Sequence, residues 1–273
     1  MKLGAIIPLN QNVEEEFQKL RELGFPTCQL NGWDQSLFTS EMAVRVVAAS
    51  QANQVEISAF WCGWEGPAVW DFVDGPLTLG LVPLAYRHDR LKMLLKGSDF
   101  AGQLGVTDLI THVGFIPEDP NHLEYKSLIA PLRYLAGHCR ANGQYFLFET
   151  GQETPVTLLR TMEDIAMDNL GINLDPANLI LYGKANPVDA LDVVGRYVRG
   201  VHAKDGRYPT SGRFLGQEVP LGEGKVNFPV LITKLQGLGY SGCLTIEREI
   251  SGDQQIADIL KAREMLEALI AEG

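Results

Sequence analysis

A chain of 273 residues with 45% apolar side chains can bury one large core, and is expected to fold as a single domain over residues 1–273. Its 23 basic and 34 acidic residues give a formal charge of −11, which repels a phosphate backbone and excludes nucleic acid as the expected partner. The densest basic stretch, Arg196 to Arg213, is broken by Asp205, by glycines and by a proline.

Short β-rich apolar runs recur along the chain. They begin at Leu3 (LGAIIPL), Thr27 (TCQLNG), Glu56 (EISAFWC), Asp108 (DLITHVG), Tyr145 (YFLFETG), Gly171 (GINLDPA), Val198 (VRGVHAKD) and Cys243 (CLTIERE). Between them lie stretches of helical apolar period: Met42, Val46 and Ala49 share one face, and Ile256, Ile259, Leu266 and Ile270 another. Thr39-Ser40-Glu41 reads as a helix N-terminus, and Gly24, Gly143 and Gly239 sit where helices hand over to strands. Regular β/α alternation implies parallel strands with right-handed crossovers, and eight such units predict a closed (β/α)8 TIM barrel. The rival, an open doubly wound sheet, lacks a glycine-rich phosphate loop at its first turn, Pro8-Leu9-Asn10.

Two connections are long: residues 63–84 carry Trp64 and Trp70, and residues 206–228 carry Gly222-Glu223-Gly224. Both follow strands, so in a barrel both belong to the face where loops form pocket walls or lids. Cys28, Cys62, Cys139 and Cys243 show no metal or disulfide spacing, which fits a reducing, cytoplasmic setting. Apolar runs are too short for a membrane span, so no membrane partner is expected. A homo-oligomer is compatible with the composition.

A buried parallel strand should stay apolar to its C-terminal end, so a polar residue there calls for an explanation. Phe146-Leu147-Phe148 ends in Glu149, Ile172-Asn173-Leu174 in Asp175, Val201 precedes His202, and Leu244-Thr245-Ile246 ends in Glu247. The fifth to eighth strands thus bring two glutamates, an aspartate and a histidine to one rim. Carboxylates crowded in this way repel one another unless a cation neutralises them, and three carboxylates with one imidazole suit Mn²⁺, Mg²⁺, Co²⁺ or Zn²⁺. One divalent cation on Glu149, Asp175, His202 and Glu247 is therefore predicted, with Glu249 the rival ligand because it shares the strand parity of Glu247.

The segments LFET, NLDPANL, VHAKD, the GEG loop and LTIERE resemble the sugar phosphate isomerase/epimerase family of xylose-isomerase-like barrels. The resemblance covers nearly the whole chain, and implies a divalent metal on Glu149, Asp175, His202 and Glu247. In the related ketose 3-epimerases the residues matching Glu149 and Glu247 also move the proton. It implies isomerisation or epimerisation of a small sugar or sugar phosphate by proton transfer through a metal-bound enediolate, in carbohydrate metabolism. Two positions depart from the epimerase pattern: Asn178 stands where a histidine is usual, and Pro155 where a glutamate is usual.

Around this set, Trp61 and Trp64 are expected to wall the pocket, His112 to donate to a substrate hydroxyl, Asn178 to contact substrate, and Arg207 to meet an anionic substrate group. Glu223 is either a supporting group or part of a lid. Three alternatives use the same barrel: an endonuclease IV-like metal phosphodiesterase, a keto-inositol or sugar-acid dehydratase, and a sugar-binding barrel without turnover. The first needs several more histidines, and the chain has only five.

Overall fold

The structure, a computed structural model, describes residues 1–272. In chain order the elements are β1 (Lys2–Pro8), α1 (Val13–Glu22), β2 (Thr27–Gly32), α2 (Ser40–Asn53), β3 (Glu56–Cys62), α3 (Gly75–Thr78), α4 (Leu84–Gln103), β4 (Asp108–Thr111), α5 (Leu123–Ala141) and β5 (Tyr145–Glu149). They continue with α6 (Pro155–Ile165), β6 (Leu170–Leu174), α7 (Pro176–Leu181), α8 (Pro187–Val194), β7 (Val198–Ala203), β8 (Asp205–Arg207), β9 (Gln217–Val219), α9 (Phe228–Gly237), β10 (Cys243–Ile246) and α10 (Asp253–Ala271). Every strand expected from the apolar runs is present.

Eight strands close a parallel barrel in the order β1-β10-β7-β6-β5-β4-β3-β2. Closure through the β1–β10 pair, with Leu3 beside Leu244, removes both sheet edges and excludes the open-sheet rival. Period-two alternation explains the burial: in β5 the even residues Phe146 and Phe148 and the odd residues Leu147 and Glu149 are all buried, because one set meets helices and the other fills the barrel. Phe60 and Phe100 pack with Phe38 at ring separations of 5.3–5.5 Å, joining β3 to α4.

Helix ends follow the sequence signals. Thr39 Oγ1 accepts the Met42 N–H at 3.2 Å, and Gly24, Gly143 and Gly239 all take positive φ after a helix. Gln54 and Ala166 do the same job without being glycine, at φ 57° and 55°. The β8–β9 hairpin was not expected: its two three-residue antiparallel strands lie inside the long connection after β7. Among the described residues, no helix is long and apolar enough to cross a membrane.

Candidate active site

The C-terminal ends of β5, β6, β7 and β10 place Glu149, Asp175, His202 and Glu247 around one point. One ligand atom from each lies within 4.8 Å of all the others. His202 Nδ1 is the hub, 2.8 Å from Glu247 Oε2, 3.1 Å from Glu149 Oε1 and 3.7 Å from Asp175 Oδ2. Ligand atoms about 2.1 Å from a shared cation lie at most about 4.2 Å apart, so the four side chains need close only slightly.

Three of the four are oriented by a further hydrogen bond. His202 Nε2 lies 2.6 Å from Gln29 Oε1; donating its proton there leaves Nδ1 with a free lone pair. Asp175 divides its carboxylate: Oδ1 caps α7 by accepting the Asn178 N–H at 2.8 Å, while Oδ2 is turned to the hub. Trp61 Nε1 donates to Glu149 Oε2, freeing Oε1. Asp175 Oδ2, His202 Nδ1 and Glu247 Oε2 are buried without a hydrogen-bond partner, an unfavourable state for three converging polar atoms. Three carboxylate oxygens and an imidazole nitrogen left free in this way fit a divalent cation.

Lys204, two residues beyond His202, is the group that sequence reasoning missed. Its ammonium is buried 2.6 Å from Glu249 Oε1, 3.4 Å from Asp175 Oδ2 and 3.6 Å from Glu247 Oε2, and it donates to Asn178 Oδ1 at 3.2 Å. Burial opposes its charge, but Asp175, Glu247 and Glu249 outweigh burial and hold Lys204 above its ordinary range. Burial likewise opposes charge on His202, and the Glu149 and Glu247 carboxylates outweigh it and raise it, so a cation binding at Nδ1 would displace the proton that these carboxylates otherwise favour there. For Asp175, burial is overcome by Lys204, His202 and the Asn178 N–H, which hold it below the usual carboxylate range. Glu249 is taken up by Lys204, and Glu247 occupies the hub position.

Glu149, His202 and Glu247, with Asp175 buried behind them, line a cavity of about 340 Å³ together with Ile6, Asn31, Trp33, Trp61, Trp70, His112, Asn178, Tyr182, Lys204, Leu215 and Glu249 among others. A model of the xylose isomerase-like TIM barrel family matches residues 17–269. The chain belongs to this family. A solved xylose isomerase domain protein from Planctomyces limnophilus is 36% identical, with a TM-score of 0.93 over 100% of this chain and 99% of that one. A D-tagatose 3-epimerase-like protein superposes with a TM-score of 0.76 at 22% identity, over 100% and 99% of the two chains, a likeness of fold. The uncharacterized protein MJ1311 of Methanocaldococcus jannaschii is 32% identical over 114 residues, 41% of this chain and 36% of that protein; the match spans about a third of that relative's length.

Within this xylose isomerase-like barrel, the remaining expected residues divide. His112 is buried, its Nε2 3.5 Å from Glu149 Oε1. Trp61 and Asn178 line the cavity. Arg207 does not: it is exposed at the end of β8, because the hairpin turns its side chain to solvent. Glu223 also faces outward, 3.3 Å from Lys261. The GEG loop instead acts through its backbone. Asp205 Oδ1 accepts the N–H groups of Gly206 (2.8 Å) and Val226 (3.1 Å), and Oδ2 those of Gly222 and Gly224, both at 3.0 Å. A Cβ on Gly224 would stand 2.0 Å from Asp205 Oδ1, so glycine is required for that approach. Asp205→Ala strands four N–H groups and is expected to cost about 3 kcal/mol or more, read as a lowered melting temperature by calorimetry.

The four tryptophans of the chain form one connected cluster, in which Trp33, Trp61 and Trp70 line the cavity and Trp64, expected there as well, is buried behind them. Trp33 and Trp61 are 5.0 Å apart between ring centroids, Trp61 and Trp64 6.0 Å, Trp64 and Trp70 6.4 Å, and Trp70 reaches His112 at 5.4 Å. The loop that carries Trp64 and Trp70 is held from below by the buried Arg90 of α4. Its guanidinium donates to the carbonyls of Glu65 (3.2 Å), Pro67 (2.8 Å), Thr78 (2.6 Å) and Gly80 (2.7 Å) and lies 5.4 Å from the Trp64 ring centroid. One turn earlier, Arg87 holds the carbonyls of Leu81 and Val82 at 2.6 Å. At the mouth the Phe72 N–H donates to the Arg213 carbonyl at 3.0 Å, tying the two long connections together.

Glu153, just past β5, is a buried carboxyl group; burial pushes it up to about 8, opposed by backbone N–H groups and Lys184. The folded chain then keeps this proton up to about pH 8, while the unfolded chain releases it near the ordinary value of about 4.5. Stability contributed by the proton is therefore whole below about pH 4.5 and lost as pH rises to about 8. Glu153→Gln is expected to gain stability relative to the parent across that window, by a few kcal/mol at pH 8, in denaturant melts at several pH values.

Proposed function

We propose that this chain is a divalent-metal-dependent sugar isomerase or epimerase in which Glu149 and Glu247 move a proton on carbon. One observation carries the reading: Asp175 Oδ2, His202 Nδ1 and Glu247 Oε2, buried and without hydrogen-bond partners, converge with Glu149 beneath an open cavity. The residues that would hold the ion are Glu149, Asp175, His202 and Glu247. When bound, a divalent cation polarises a carbonyl and its neighbouring hydroxyl, which acidifies the C–H between them.

The chain's own groups then do the rest. Glu149 and Glu247 reach the site from strands separated by β6 and β7, so they approach a substrate from different sides. One takes the proton and the other returns one, to the opposite face for epimerisation or to the adjacent carbon for isomerisation. Trp61 holds Glu149 in place through its indole N–H. His112 and Lys204 border the same cavity and supply donors to substrate oxygens. The similarity to a D-tagatose 3-epimerase-like protein supports this choice of chemistry. A nuclease reading is disfavoured, since the remaining histidines lie elsewhere: His88 is exposed, His122 caps α5 and His138 pairs with Asp99.

The test is turnover in D₂O with a panel of ketoses and aldoses and one equivalent of Mn²⁺ per chain. Deuterium at the carbon beside the carbonyl is the expected result. Strict retention of the original hydrogen in every sugar that turns over would refute the two-glutamate mechanism. Elemental analysis showing three ions per chain would refute the single-ion site.

A further inference from the structure

The cavity is chemically two-sided. At its base are Glu149, His202, Lys204, Glu247 and Asn178, and Trp61 and Trp64 beside them are buried, with 5% and 3% exposure. Toward the mouth stand Trp33 and Trp70, with 40% and 41% exposure, and the exposed side chain of Glu249. Leu215 lines the same mouth, next to the strongly exposed Phe214. A free monosaccharide carries hydroxyls around its whole periphery, so a site built for one should offer polar partners at both ends. Here the outer end offers a single carboxylate, already paired with Lys204, beside two large and partly exposed indoles, which are costly to leave in water.

The charge balance narrows the ligand further. Three ligand carboxylates more than match a divalent ion. Among the described residues, Lys204 is the only lysine or arginine lining the cavity, and it already has three carboxylates within 3.6 Å. Arg207, the expected partner for an anionic substrate, points to solvent. A phosphate would therefore enter beside Glu249 without an uncommitted cation to meet it. The volume of about 340 Å³ lies within the range of about 300–1,000 Å³ typical of sites for drug-sized ligands, which leaves room for two rings.

We infer that the substrate is an uncharged glycoside: a sugar whose carbonyl end meets Glu149 and Glu247, joined through oxygen to a second ring that stacks on Trp33 and Trp70. The inference rests on the proton-transfer reading above and adds the substrate class to it.

Because every tryptophan of the chain either lines this cavity or packs against one that does, intrinsic fluorescence reports binding directly. Mn²⁺-loaded protein is titrated with D-fructose, D-fructose 6-phosphate and three ketose disaccharides of different linkage: turanose, lactulose and isomaltulose. At least one disaccharide is expected to bind roughly tenfold more tightly than fructose, and the phosphate no more tightly than fructose. In Trp33→Ala and Trp70→Ala the ratio of disaccharide to fructose affinity should fall toward one. Preference for the phosphate, the absence of any disaccharide gain, or a gain that survives both substitutions would each overturn the inference. Deuterium uptake from D₂O is followed in the same samples. Uptake into fructose without a disaccharide gain overturns the glycoside assignment alone. A disaccharide gain without uptake into any bound sugar overturns the proton-transfer reading instead.

Discussion

Glutamine in place of Glu149 or Glu247 is expected to lower deuterium exchange and turnover by about a thousandfold, within the range of about 10²–10⁴ typical for loss of a positioned acid or base. The amide keeps the shape of the carboxylate but cannot accept a proton at neutral pH. Both side chains also face the His202 hub, so affinity for Mn²⁺ should fall in each variant, and saturating metal must be used to isolate the proton-transfer defect. The two are not equivalent in stability. Glu149 is buried and bonded to Trp61, whereas Glu247 is partly open to the cavity. Glu149→Gln should therefore also perturb tryptophan emission, and Glu247→Gln should leave it nearly unchanged. Full turnover by either variant at saturating metal would refute the assignment.

Arg90→Met is expected to lower the melting temperature by about 5–10 °C, the consequence of losing about 3 kcal/mol in a chain of this size. Methionine fills much the same space, but four loop carbonyls lose their donor together. Burial pushes Arg90 down to about 10, so it remains charged at neutral pH. Arg90→Lys should recover little, since an ammonium concentrates its donors at one atom and cannot span carbonyls on both sides of the loop. The emission of Trp64 and Trp70 should shift to longer wavelength as water enters beneath them. An unchanged melting temperature and spectrum would show that the loop is held by other means.

How far the sequence carries this description depends on the physical signal each part emits. Strand positions are legible because a buried parallel strand must be apolar, which also makes Glu149, Asp175, His202 and Glu247 conspicuous at the strand ends. Lys204 was available to the same argument, since it shares the parity of His202, yet a lysine followed by Asp205 and Gly206 reads as the start of a loop. Gln29 gives no signal: a glutamine within an apolar strand does not name its partner across the barrel. Arg87 and Arg90 escape notice because they occupy the buried face of α4, against the expectation that arginine faces water. The β8–β9 strands are too short for periodicity, and the outward turn of Arg207 depends on their pairing.

The barrel distributes its tasks between two arcs. β5, β6, β7 and β10 end in Glu149, Asp175, His202, Lys204 and Glu247, while the segments at and beyond the ends of β2, β3 and β4 supply Trp33, Trp61, Trp70 and His112. Substitutions on distant, separately supported positions of these arcs should combine almost additively, so one arc can diversify while the other stays fixed. A lineage, or an engineer, can thus change the pocket wall by redrawing the loops after β2 and β3 without disturbing the cluster of Glu149, Asp175, His202 and Glu247. Trp61 is the exception, since its indole faces the ligand space while its N–H holds Glu149. Changes at that one position should show strong epistasis with both arcs, which makes it the residue where altered selectivity and altered rate are hardest to separate.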